Sequence, residues 1–196
     1  MFKKLTRLTL LTLIAVALPT VFLFVGSAWM LKASGRRDAQ PCYANAGIPG
    51  TKSLAGKACG YSSQIAKDYW GALKNGGCID AEINFLKIDL FLFVPIYCGL
   101  AAFSVWLVGR PRRFRDTILL LLPVFLLFFA DVLETSIHLT HLTNDGVSDF
   151  LIDVSGYATT IKWLLALAVA ILLIGLIIRR WILDMKAPHV GNETPL

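Results

Sequence analysis

The sequence predicts an all-α, polytopic membrane protein: a four-helix bundle with a large extracytoplasmic first loop that contains one short amphipathic helix. Three observations predict it. The chain of 196 residues is 56% hydrophobic and only 16% charged, well outside the usual soluble range of about 45–50% apolar and about 25% charged. Its mean hydropathy is +0.66. Four stretches also reach the length of roughly 20 mainly apolar residues needed to cross about 30 Å of hydrocarbon. Disorder is excluded, because so apolar a chain cannot remain solvated. Its 15 glycines and 8 prolines follow no period, which excludes collagen-like and low-complexity readings.

The first span covers residues 8–31 and is uncharged. Lys3, Lys4 and Arg7 precede it and Gly26-Ser27-Ala28 offer small residues, as in a secretory signal, but the apolar run exceeds the about 7–15 residues of a signal core. An uncleaved first helix is expected. The second span covers 86–108, with Lys87 and Asp89 at its start, the third covers 117–139 and the fourth 158–181. A cytoplasmic tail of 182–196 completes a single domain over 1–196. No internal repeat is visible, so the plan of an inverted-repeat transporter has no support.

Basic residues set the orientation. Arg110, Arg112, Arg113 and Arg115 crowd the connection between the second and third spans, Arg179 and Arg180 close the fourth with Lys186 beyond it, and residues 140–157 contain no Lys or Arg. Both termini are therefore expected in the cytoplasm, at a plasma membrane of bacterial inner-membrane type. The four arginines of the turn are expected to meet lipid phosphates. The loop of 32–84 carries seven Lys or Arg, but they are spread thinly and partly offset by acids. The net charge of +6 then reflects topology and anionic lipid, with no nucleic-acid partner implied.

Within the outer loop, Pro41, Gly47, Pro49, Gly50, Gly56 and Gly60 mark turns. From Ser62 to Lys74 the pattern becomes helical, with Ile65, Tyr69 and Leu73 on one face and Gly76-Gly77 as a C-cap. Such a helix either covers the span ends or lies among the headgroups. Cys42, Cys59 and Cys78 also lie in this loop, so an oxidising compartment would pair two of the three, with the choice left open by the sequence. Their gaps of 17 and 19 residues do not suit a structural zinc. Cys98, inside the second span, reads as a buried thiol.

Charged groups at membrane depth are the most informative signal, since each costs about 2.5–3.5 kcal/mol or more at the bilayer centre. Asp131, Glu134, His138 and His141 fall within a sector of about 80° on the third span. Helical rise places Asp131 about 9 Å, Lys162 about 6 Å and Glu134 about 4–5 Å inside the outer boundary, with Asp89 near it. One polar pocket of Asp89, Asp131, Glu134, His138 and Lys162 is expected beneath the outer headgroups, with Lys162 meeting Asp131 or Glu134 and Glu134 meeting His138. Buried charges need such partners.

A sharper alternative gives the pocket chemistry: Asp131, Glu134 and His138 as catalytic groups acting on a lipid headgroup, with Glu134, His138 and His141 as weak metal candidates. Glu134 and His141 are about 10.5 Å apart along one helix, so a third ligand would have to come from Asp89 or Asp153. The motifs of zinc proteases, serine hydrolases, phosphate loops and haem attachment are absent, and no cofactor is expected. The inner halves of the spans are uncharged, which argues against a continuous ion path. Trp70-Gly71-Ala72-Leu73 before Cys78 resembles the loop motif of claudin-like tetraspan proteins in outline, but a second tryptophan and a closely following cysteine pair are missing, so no family is implied. The expectation is a non-enzymatic membrane protein that associates with membrane lipid, a membrane-protein partner or further copies of itself; a lipid-directed enzyme is the alternative.

Overall fold

A computed structural model of the chain describes residues 2–36, 38–39, 60–111, 113–144 and 147–186. These form five helices, and no strand occurs among the described residues. Helix α1 is Phe2–Ala33, α2 is Ser63–Gly76, α3 is Ile79–Gly109, α4 is Phe114–Asn144 and α5 is Asp149–Lys186. All but α2 are long and apolar enough to cross a membrane. Where no water is available, a backbone must satisfy its own N–H and C=O groups, and an apolar sequence of this length does so as a helix. The outward faces carry exposed Phe24, Phe91, Phe129, Leu164 and Ile171, the reverse of a surface that meets water.

Each long helix extends beyond its hydropathy-defined span. Helix α3 starts seven residues before 86, at Ile79, where Asp80 and Glu82 occupy the first turn and complement the positive end of the helix dipole. Within it, residues Asp89–Phe93 adopt π-helical geometry, closed by the Val94 N–H on the Asp89 carbonyl. The cause is Pro95, which has no N–H to donate and whose ring would press on the carbonyl four residues back; the widened turn relieves that contact. At its far end the Arg110 N–H bonds to the Trp106 carbonyl at 2.9 Å. The Arg180 guanidinium of α5 donates to the carbonyls of Leu107 and Val108 at 3.2 and 3.5 Å, covering acceptors that a helix end leaves open.

Helices α4 and α5 pack most extensively, α3 packs against both, and α1 packs on α3. Two apolar cores result. One fills the seam of the long helices with Val94, Cys98, Val105, Val124, Leu127 and Val169. The other lies under α2 and contains Tyr61, Ala66, Trp70, Leu73, Cys78 and Ile152. Along α4, the fully buried residues of the first core end at Leu127 and the second core is joined at Leu142; along α5 the fully buried limits are Val169 and Ile152. Asp131, Glu134, His138 and Lys162 lie between those limits.

Helix α2 spans the capped end. Ser62 closes its start by accepting the Ile65 N–H at 3.5 Å. Gly77, at φ 75°, closes its end, and the Cys78 and Gly77 N–H groups bond to the Leu73 and Lys74 carbonyls at 3.0 and 3.3 Å, the reciprocal closure that a left-handed residue permits. The buried face is Ala66, Trp70 and Leu73, whereas Ile65 is exposed. The apolar stripe is thus turned one residue from the Ile65–Tyr69–Leu73 reading, because burying the Trp70 ring removes more apolar area from water than burying Ile65. The buried Arg36 guanidinium anchors this end: it lies 3.4 Å from Glu82 and 4.4 Å over the Phe85 ring. Tyr69 donates to the same Glu82 carboxylate at 3.1 Å.

The segment entering α2 crosses α5 backbone to backbone. A Cβ on Gly60, whose φ is +74°, would lie 2.5 Å from the Gly156 carbonyl oxygen, and a Cβ on Gly156 would lie closer still to that of Tyr61. Only paired glycines allow this approach. It delivers the Tyr61 ring into the bundle, and the Ser63 N–H donates to Asp153 at 2.7 Å just beyond it.

Cys78 is disulfide-bonded, with its partner outside the described residues; Cys42 and Cys59, and with them the choice of bridge, lie there too. Cys98 is a buried free thiol.

Candidate functional site

Asp131 and Glu134, one turn apart on α4, face α5 where it carries Lys162. The Lys162 ammonium lies 3.1 Å from Asp131 Oδ1 and 2.5 Å from Glu134 Oε2, so it serves both acids. The second Asp131 oxygen accepts the Tyr97 hydroxyl from α3. Beside this triad, the Thr135 hydroxyl donates to Asp89 Oδ2 at 3.3 Å, and Asp89 opens the π-helical turn of α3. Three long helices therefore meet through charged or hydroxyl side chains at one level. Glu134 is 1% exposed and Asp131 5%. Among the described residues the arrangement holds the carboxyl groups of Asp131 and Glu134 against the Lys162 ammonium, with Asp89 beside them on Thr135, and Glu134 Oε1 has no hydrogen-bond partner there.

A second polar layer lies toward α2. His138 Nε2 bonds to the Tyr61 hydroxyl, which also lies 2.5 Å from Ser155 Oγ. Thr159 donates to the Ser155 carbonyl at 3.1 Å. The edge of Trp70 meets the His138 ring at 5.4 Å between centroids, and Trp70 stacks on His141 at 4.0 Å. Tyr61 and Trp70 thus seal His138, which is only 5% exposed. Burial pushes the Tyr61 phenol above its ordinary value of 10.0; the Ser155 hydrogen bond opposes this and the Glu134 carboxylate reinforces it. The sign of the pH dependence follows. Below about pH 10 the phenol is protonated whether the chain is folded or unfolded; above it the unfolded chain releases the proton first, so stability falls as pH rises. Unfolding free energies measured between pH 8 and about 11 are expected to decline more steeply for the native chain than for Tyr61→Phe.

The residues singled out by sequence divide clearly. Asp89, Asp131, Glu134 and Lys162 share one level, and Lys162 meets both acids where one was expected. His138 turns to Tyr61 and is not paired with Glu134. His141 stacks on Trp70, and Asp153 accepts the Ser63 N–H. Among the described residues, no group of three or more His, Cys, Asp or Glu side chains is placed to hold one metal ion, because Glu134 faces the ammonium while His138 faces the phenol. Arg110, Arg113 and Arg115 lie at the opposite end from α2, and all three are exposed; Arg112 lies outside the described residues.

Sequence reasoning missed Tyr97, Thr135, Ser155, Thr159 and Tyr61. Ser155, Thr159 and Lys162 follow one another at spacings of four and three on α5, a polar stripe that helical periodicity could have found. Tyr61 gave no such signal, since its place depends on a crossing between distant glycines. The chain matches no known protein family, no curated protein and no solved structure.

Proposed function

We propose that this is a small, non-enzymatic, multi-pass membrane protein that acts by associating with membrane lipid or with a membrane-protein partner, a further copy of itself included. In this reading its long helices form a four-helix bundle in a plasma membrane. The loop of 32–84 faces outward, both termini are cytoplasmic, and the arginines after α3 rest on lipid phosphates. The supporting observation is that the reactive groups of the buried cluster engage one another: Lys162 with Asp131 and Glu134, Tyr97 with Asp131, and Tyr61 with His138. A catalytic pocket would present such groups to a substrate; this one uses them to hold three helices in register. Four of the five helices also offer their apolar faces to neighbours in the membrane.

The test is to purify the chain from native membranes in mild detergent, identify bound species by native mass spectrometry and measure metal content. At least one lipid or protein partner is expected to remain at near-stoichiometric level, with metal far below one ion per chain. A bare protein would contradict the reading. Stoichiometric metal that disappears in Glu134→Gln and His138→Ala would instead support the alternative of a lipid-directed enzyme acting through Asp131, Glu134 and His138.

A further inference from the structure

Outside the sealed cluster, at the capped end, the described residues form an open cleft of about 350 Å³ between α2 and the ends of α3 and α4. We infer that this cleft binds the phosphate-bearing headgroup of an anionic lipid; the inference rests on the lipid-association reading and gives it a site and a ligand class.

Two α2 lysines, Lys67 and Lys74, border the cleft, and Gly71 lies between them. Their spacing of seven residues puts both on one face, about 10.5 Å apart along the axis. Gly71 leaves the backbone bare between the two ammonium arms, and a Cβ there would meet nothing within 4 Å. Trp70 and His141, stacked at 4.0 Å, line the cleft together with apolar Ile79 and Leu142. A cationic rim around an aromatic and apolar lining suits an anion attached to a hydrocarbon.

Depth supplies the second argument. Ile79 is the first residue of one candidate span, and His141 and Leu142 lie in the last turn of another. Ile79 precedes the apolar stretch that begins at 86 and Leu142 follows the one that ends at 139, so the cleft opens beyond the hydrocarbon, on the headgroup side. Lys67 also lies 2.5 Å from Asp149, and both side chains are substantially exposed, at 44% and 63%. Such an exposed pair is weak, so a phosphate can take the ammonium from Asp149 without a buried charge being left behind.

The experiment uses the full chain in mixed micelles of phosphatidylglycerol and phosphatidylcholine, with retained lipids counted by native mass spectrometry. The native chain is expected to retain one phosphatidylglycerol in strong preference to phosphatidylcholine. Each lysine contributes about fivefold, so the double variant Lys67→Gln/Lys74→Gln is expected to lose about 30-fold of that preference. Gly71→Leu fills the cleft from a position with free space above it, and is expected to reduce retention at least as strongly while the melting temperature is unchanged. Equal retention by the native chain and both variants would overturn the cleft as the site and leave lipid association standing. Retention of neither lipid would remove both this inference and the lipid reading. Displacement of the lipid by millimolar inorganic phosphate, with no selectivity between the two lipids, would reassign the cleft to a free phosphate and overturn a lipid ligand.

Discussion

Replacing Lys162 with methionine is expected to destabilise the fold by about 3–5 kcal/mol, the typical cost of removing one partner from a buried ion pair. The ammonium now lies within 3.1 Å of Asp131 and 2.5 Å of Glu134. Without it, two carboxylates one helical turn apart would face each other in a medium that screens little. Methionine preserves most of the side-chain volume, so the loss reports charge and not a cavity. The triple variant Lys162→Met/Asp131→Asn/Glu134→Gln removes the charges together and is expected to recover most of the stability, since a whole buried ion pair replaced by neutral groups is often close to neutral. The amide carbonyl introduced by Asp131→Asn would still accept the Tyr97 hydroxyl. Equilibrium unfolding in mixed detergent micelles measures the native chain and both variants. A single variant within about 1 kcal/mol of the native chain would mean that the pairing is no stronger than one at an exposed surface.

Gly156→Ala is expected to have the second-largest effect, a loss of about 3 kcal/mol. The new methyl group would collide with the Tyr61 carbonyl oxygen, and that neighbour is backbone, so no side-chain rotation relieves the clash. The entering segment must lift from α5. The contacts of Tyr61 with His138 and Ser155, and of Ser63 with Asp153, are lost with it. The same substitution at Gly175, where a Cβ meets nothing within 4 Å, is expected to be neutral or to stabilise by roughly 0.5–1 kcal/mol through reduced backbone freedom. The pair separates crowding from helix propensity, because both positions are in α5. Ala66→Cys provides a second readout: Ala66 of α2 is fully buried, so maleimide labelling of the introduced thiol should be slow in the native background and fast with Gly156→Ala. Equal rates and equal stabilities would show that the crossing does not hold Tyr61.

These two expectations also mark what sequence could and could not reveal. The apolar spans were legible because hydrocarbon imposes a length on any helix that crosses it. The level shared by Asp89, Asp131, Glu134 and Lys162 was legible from helical rise alone, since each charge could be counted along its own span. Partner choice was not. Glu134 and His138 are four residues apart and could have met, but the Tyr61 phenol reaches the histidine first, and that phenol comes from a segment ordered by the contact of Gly60 with Gly156. The orientation of α2 was likewise decided in three dimensions, where the Trp70 ring claimed the buried face. Periodicity reports which residues share a helix face; it does not say which of two competing faces finds a neighbour.

The placement of the Lys162 triad also constrains how the chain enters a bilayer during synthesis. Helix α4 emerges from the ribosome before α5 and brings Asp131 and Glu134 without their counter-ion. A bare acid costs about 2.5–3.5 kcal/mol at the bilayer centre and less toward the boundary, so both acids oppose the passage of α4 into lipid. The ammonium that offsets them follows only 28 residues after Glu134, so α4 gains a favourable route into lipid as one half of a hairpin with α5. The same ion pairs that hold register in the finished protein therefore favour insertion of these two helices as one hairpin over insertion of α4 alone.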